Sequence, residues 1–497
     1  MKIKNILIAG SVCFFAMTAC TNVEENVYDK YTPEEFYGSP QGADIALASV
    51  YAQIPGNWGG VGYAGADNGW YDINSMCADE QVIPHRNDGN WGTDQARMYK
   101  HDWLPSDGFI NNTWNWLYKS IFNANLAIKL LEDAKADPSK IAEAKVMRCF
   151  FYYLLIDDFG NVPFYTDNNI TVDKIPQANR KEVYDFIVSE LKANVDLLVS
   201  TKGGEYYGRF NKWAGYTLLA KVYLNAEVLT GTPKWAEALA ACNVVNGGNF
   251  SLHSGVADAT SPLGSKYYEL FGDVLPADET ILAVYTTVDV VGRNIFSVRS
   301  LIGANYKALF GNDGWNGTIV PPAFYMKYDD KDIRKKQFLI GPQAGDVNYT
   351  LSVASLDDPG ADPQGGVRNL KFYPAGSMNG GGASNDFPIY RYADVMLMTA
   401  ECNVRLGNAG AAKPLVDAIR TRAGIANLAG NPTLDDICDE RGRELNWEGH
   451  RREDLIRFGK FLLPNDFRGA SPEYRKIFPI PTSALNANPG LKQNSGY

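Results

Sequence analysis

Apolar residues return along this chain at steps of three and four, so the dominant predicted element is the amphipathic helix. Ile45, Leu47, Ala48 and Tyr51 mark one face, and Trp114, Leu117, Ile121, Ala124, Ile128 and Leu131 mark a longer one. Ile141 to Asp157 is apolar on several sides, the pattern of a helix buried all round. Asn179 and Glu182 form a capping box ahead of Val183, Ile187, Leu191, Val195 and Leu198. Further helices are predicted over 213–229, 235–245, 392–406, 411–422 and 434–447, most of them stopped by Gly, Asn or Pro.

Several of these helices pair across short turns, 214–229 with 235–245 and 393–406 with 411–423. Both pairs resemble tetratricopeptide units, and Ala400, Leu406-Gly407 and Ala412 fall where close helix contact needs small residues. Long insertions separate the pairs, which points to a scaffold of helical hairpins instead of a regular solenoid. The predicted class is therefore mainly α with minor β. From about 250 to 388 the helical period is lost among Gly, Pro, Asp and Asn, with Asp357-Asp358-Pro359-Gly360 and Gly380-Gly381-Gly382 as breakers. Glu279 to Thr286 is the best strand candidate there. Long ordered loops in a compact domain usually carry function, so this insertion and residues 55–107 are the places to seek a site.

The N-terminus changes the setting. Lys2 and Lys4 precede an apolar run from Ile6 to Met17 that is too short to span a bilayer, and Met17-Thr18-Ala19-Cys20 closes it as a lipobox. The pattern predicts a leader over 1–19, acylation of Cys20, a polar tether over 20–40 and one domain over 41–497. The acyl chains would enter the membrane and the polypeptide would stay in water. A net charge of −10 without a basic tract argues against nucleic acid as a partner. Cys77, Cys149, Cys242, Cys402 and Cys438 are odd in number and never in CxxC spacing, so they form no disulfide framework. Aromatic residues make up 12% of the chain, and Trp58, Trp70, Trp91, Trp103, Trp114 and Trp116 crowd its first quarter. Planar rings stack on sugar faces and peptides alike, so this enrichment argues for a ligand-binding surface.

Enzymatic motifs find little support. Gly60-Val61-Gly62-Tyr63-Ala64-Gly65 matches GxGxxG but lacks the preceding strand and following helix of a dinucleotide site. There is no HExxH, Walker A or GxSxG pattern, and His85, His101, His253 and His450 have no metal-ligand spacing. The charged run Glu440 to Asp454 places Glu440 with Arg443 and Glu448 with Arg452 at helical spacing, which reads as a structural ion-pair network with His450 as an inter-helix hydrogen bonder. Asp357, Asp358 and Asp362 read as a solvated turn ahead of a calcium site. The segment Asp79 to Trp91 is different: it combines carboxylates, Arg86, an amide and a large ring in one irregular stretch. A sugar needs a ring for its apolar face and polar groups for its hydroxyls, and Trp91 with Arg86, Asp88 and Asn90 can supply both; a loop pinned by its own salt bridge with Trp91 as anchor uses the same residues.

Five segments, Trp116 to Asn125, Glu143 to Phe164, Arg391 to Asn408, Glu440 to Phe461 and, most specifically, the tail FPIPTSALNANPGLKQNSGY from Phe478, carry a likeness that runs from Cys20 to Tyr497. On them the chain resembles the SusD/RagB outer-membrane lipoproteins. Read from residues alone, that tail is only Pro-fixed extended chain with a turn at Asn488-Pro489-Gly490. The resemblance implies four tetratricopeptide-like hairpins with a variable binding region, no catalysis and no cofactor. It also implies a SusC-like TonB-dependent transporter as partner and an oligosaccharide or polysaccharide as ligand, or a peptide in the RagB-like alternative. The DE-x3-P-x-R segment ending at Trp91, with Gly366 to Lys371 later, looks like a branch that includes fructan binders. By the same resemblance Trp91 and Arg368 are expected ligand contacts, followed by Asp79, Arg86, Trp58 and Trp315. Cys20 would be the lipid anchor in the outer membrane, and Glu24-Glu25 fits an acidic surface-export signal. A lipid-anchored glycoside hydrolase is a further alternative, which would require two carboxylates about 5 to 9.5 Å apart.

Overall fold

The computed structural model describes residues 32–55, 61–64, 67–86, 91–288, 292–360, 362–379 and 381–497. Cys20, Glu24, Glu25, Trp58, Asp88 and Asn90 lie outside the described residues, as does part of the GxGxxG stretch.

We label the principal helices in chain order: α1 (Pro40–Tyr51), α2 (Trp70–Met76), α3 (Gly108–Asp133), α4 (Pro138–Phe159), α5 (Arg180–Asn194), α6 (Lys212–Leu224) and α7 (Trp235–Asn246). After the loop-rich region come α8 (Tyr392–Arg405), α9 (Ala409–Arg422), α10 (Leu434–Glu444) and α11 (Arg451–Arg457). Hairpins α3–α4, α6–α7 and α8–α9 form the scaffold, and α7 packs directly on α8, so the loop-rich region is an excursion from one continuous helical stack. α4 is its centre: every residue from Val146 to Phe159 is buried, as its all-round apolar pattern predicts. Gly160 then ends it at φ +71°, a conformation costly for any residue with a Cβ. At α5 the capping box forms as read, Asn179 Oδ1 accepting from Glu182 N at 2.9 Å and Glu182 Oε2 from Asn179 N at 3.1 Å.

Three predicted elements end or begin elsewhere, each for a visible reason. The helix predicted over 213–229 breaks at Asn225, whose amide donates to Lys221 O, Tyr153 Oη and Glu453 Oε1 and ties the chain to α4 and α11. The helix predicted over 434–447 stops at Glu444, because Trp447 adopts φ +60° and donates its backbone N–H to Glu80 Oε2 at 2.9 Å. A capped helix over Pro33–Gly38 occupies part of the stretch read as tether, its Thr32–Glu35 capping box closing the first turn.

The predicted strand forms as β1 (Thr280–Val284) and pairs antiparallel with β2 (Phe387–Arg391), which immediately precedes α8. This ladder carries Arg391 into the core, where it meets Glu279 at 2.8 Å, Glu448 at 2.6 Å and Glu444. Arg334 joins Asp332, Glu440 and Glu444, Arg422 joins Glu279 and Glu444, and Lys371 joins Glu448. The charged run of 440–454 is thus a buried network, as read, but its partners differ. Glu440 does bridge Arg443, whereas Arg452 turns to Asp157 at 2.7 Å and leaves Glu448 to Arg391 and Lys371. His450 is buried with Nδ1 3.5 Å from Lys221 Nζ, and burial holds its pKa down to about 4. The five cysteines are free and buried.

Residues 478–497 fold back over the end of α4. Phe478 N–H donates to Asp158 O at 2.7 Å, Asn494 Nδ2 donates to Phe159 O and Phe478 O, and Trp103 Nε1 donates to Tyr497 Oη at 2.6 Å. No described helix is long and apolar enough to cross a membrane.

Candidate functional site

Most of the tryptophans crowded into the first quarter are core residues. Trp70, Trp103, Trp114 and Trp116 are buried, so their rings serve mainly to stabilise the scaffold. Trp91 and Trp315, which resemblance brought together on paper, do meet in space. The Trp91 indole N–H donates to Trp315 O at 2.6 Å, and its six-membered ring lies over Gly317, where an added Cβ would come within 2.7 Å. Glycine at 317 therefore makes room for the ring. Trp91 itself is only 6% exposed, whereas Trp315 is half-buried and lies at the rim.

Three loop segments converge to hold this pair. Val82 and Ile319 form an antiparallel bridge, Val320 bridges Val367, and Thr350 bridges Gly365. Arg86 N–H donates to Trp91 O at 3.0 Å, and Arg86 Nη1 reaches across to Asp362 O at 2.9 Å. Gly366 adopts φ +87° and packs on Ile319, a second place where backbone approaches too closely for a side chain.

Arg368 lies beneath, fully buried. Its Nη1 donates to Gly365 O and Gly366 O, its Nη2 donates to Asn316 Oδ1 at 2.9 Å, and its guanidinium covers the Tyr349 ring at 4.8 Å. These acceptors are neutral. Burial, reinforced by the neighbouring Arg86 charge, pulls the Arg368 pKa down to about 9. Arg368 thus shapes the 362–368 loop and fixes Asn316 beside Trp315. Asp79 is placed apart from this pair, holding both guanidinium arms of Arg451 at 2.6 and 2.8 Å. Burial works against its charge, yet Arg451 keeps its carboxyl below the usual range. Glu80, next in sequence, is pushed up to about 8 by burial.

The sequence-predicted residues thus fall into three groups. Trp91, Arg86, Arg368 and Trp315 are brought together, Asp79 serves a buried ion pair, and Trp58 lies outside the described residues. Sequence reasoning missed Asn316 and Tyr349. The Asn316-Gly317 pair is a turn signal that would have marked the first, whereas a buried tyrosine under an arginine has no sequence signal at all. Among the described residues no group of His, Cys, Asp and Glu could hold a metal ion. Asp357 instead pairs with Lys100.

A hairpin scaffold bearing a loop-built aromatic pair describes a class of helical binding proteins. Within it the chain belongs to the SusD/RagB family. A model described as SusD family matches residues 278–497, and one described as starch-binding, associating with the outer membrane, matches residues 62–224. A SusD-like protein of Formosa agariphila is 26% identical over the whole of both chains, and the starch-binding protein SusD of Bacteroides thetaiotaomicron is 25% identical over 72% of each. Among solved structures, surface glycan-binding protein A of Bacteroides fluxus superposes with a TM-score of 0.74 at 20% identity, covering 93% of this chain and 100% of that one. Surface glycan-binding protein A of B. thetaiotaomicron in complex with laminarihexaose gives 0.72 at 21%, covering 92% and 99%. These structural likenesses show the fold.

Proposed function

We propose that the protein is a cell-surface glycan-binding lipoprotein, anchored in the outer membrane through Cys20, that passes oligosaccharide to a SusC-like TonB-dependent transporter. The observation that carries the reading is the half-buried Trp315 ring, whose backbone carbonyl is held by the Trp91 indole N–H, beside Asn316 on a frame of three interlocked loops. An aromatic face with an adjacent amide matches the two-sided chemistry of a sugar ring. Relatives named for starch and glycan binding support the ligand class. Trp315 and Asn316 touch the ligand; Trp91, Arg86 and Arg368 position them. No catalytic role is assigned. Stacking on a wet face contributes about 0.5–1.5 kcal/mol per ring pair, so binding is modest and release to a transporter stays feasible.

Affinity electrophoresis of the mature chain through levan, inulin, starch, xylan and mucin glycans tests the ligand. Retardation by one glycan that Trp315→Ala abolishes, with melting unchanged, supports the reading; retention of oligopeptides and of no glycan replaces it with a peptide binder. Cys20→Ala should release the protein from the membrane fraction, and a persistent anchor would refute lipidation at that residue.

A further inference from the structure

A cavity of about 430 Å³ opens on the opposite kind of surface, the helical scaffold itself, and shares no residue with the loop site. Its size lies within the range of about 300–1,000 Å³ that small-molecule sites span. One wall is a stripe on α3, Asn111, Trp114, Asn115 and Tyr118, whose spacing puts all four on one helix face. The loop after α4 adds Tyr165 and Val172, and the folded-back tail closes the far side with Ser483 and Asn488.

Three properties define what fits. First, the rings are arrayed: Tyr118 and Tyr165 lie within 7° of parallel with centroids 6.3 Å apart, and Trp114 adjoins Tyr118 at 4.8 Å. Second, no Asp, Glu, Lys or Arg lines the cavity, in a chain where 21% of residues are charged. Third, polar groups remain unused. The Trp114 indole N–H, the Tyr165 hydroxyl and the Asn115 amide make no hydrogen bond among the described residues, whereas Tyr118 Oη is committed to Pro163 O and Ser483 Oγ to Asn111. A purely apolar partner would leave those three groups unsatisfied on burial, and an ionised one would enter without a counter-charge.

We propose that this cavity is a second saccharide site, taking a neutral sugar unit stacked on the Tyr118–Tyr165 pair with its hydroxyls met by Trp114, Asn115 and Tyr165. The glycan-binding reading supplies only the choice of probes. Two sites on separate faces would let one polysaccharide chain bridge them, raising avidity without tightening either contact.

The test uses the whole mature chain and its Trp315→Ala variant, in which the loop face is silenced. Malto-, laminari- and fructo-oligosaccharides are titrated calorimetrically beside oligogalacturonate as the charged control. The expected result is that Trp315→Ala still binds a neutral oligosaccharide, ignores oligogalacturonate, and loses about tenfold in affinity when Tyr165→Ala is added. Asn115→Ala, at an exposed helix position where alanine is a good helix former, should weaken the same binding with the melting temperature unchanged. If Trp315→Ala abolishes all binding, the second site is refuted while the loop site stands; if no sugar binds even wild type, both fall. If Tyr165→Ala leaves every titration unchanged but impairs co-purification with a membrane protein, the cavity is a protein-docking face and the proposal is overturned.

Discussion

Trp91 and Trp315 divide the work of one loop site, Trp91 as buried support and Trp315 at half-buried depth, and the division is measurable. Trp91 is sealed against Gly317 with its N–H spent on Trp315 O. Trp91→Ala is therefore expected to cost about 3–5 kcal/mol and to lower the urea midpoint along with any ligand binding. Trp315→Ala, at a half-buried position, should remove binding while shifting stability less than Trp91→Ala. Comparable losses of stability in both variants would refute this division. Glu80 offers a second test at this scale. Burial raises its pKa to about 8 from the ordinary 4.5, so the folded state holds its proton more tightly than the unfolded chain. That stabilisation is complete below about pH 4.5 and is lost as pH rises toward 8. Glu80→Gln keeps an acceptor for the Trp447 N–H and cannot ionise. Its denaturation midpoint should fall less between about pH 5 and 8 than that of wild type; parallel curves would show that Glu80 does not titrate there.

At the scale of elements, what was legible in the sequence is what repeats. The 3.6 period of α3, the all-round apolarity of α4, the capping box of α5 and the β-branched run of β1 are local signals, and each became the element it predicted. What escaped was set by partners far along the chain. Asn225 looks like an ordinary helical residue until Tyr153 and Glu453 are brought to its amide, and Trp447 ends a helix because Glu80 waits for its N–H. The site shows the same split: the residue types at 79–91 were visible, but Asp79 and Arg86 took partners, Arg451 and the 362–368 loop, that no spacing reveals. Two asparagines make the contrast testable. Asn179→Ala removes an exposed cap and should cost about 1 kcal/mol, whereas Asn225→Ala strips a buried hub and should cost clearly more. Equal effects in chemical denaturation would mean that the Asn225 contacts contribute little.

At the scale of the whole molecule, two features join distant parts. The carboxylates of Glu279, Glu444 and Glu448 gather arginines and a lysine from the loop region, β2 and α9 into one buried network. Removing one member leaves an uncompensated charge in a dry interior, so Arg391→Met is expected to destabilise by about 3–5 kcal/mol. Salt should not rescue it, since a buried pair is poorly screened; recovery at high ionic strength would show that the network is open to solvent.

The second feature is the returning tail. Trp103 and Tyr497 are hydrogen-bonded across 394 positions of chain, and Phe159 and Asn494 across 335. A ribosome delivers Trp103 and α4 long before the segment that covers them, so during synthesis the helix whose residues 146–159 are all buried in the finished protein is exposed at one end with its closing strap not yet made. The strap therefore doubles as a marker that synthesis has passed Phe478: a chain cut short before it would carry every residue of the loop site and still present itself to proteases and chaperones as unfinished.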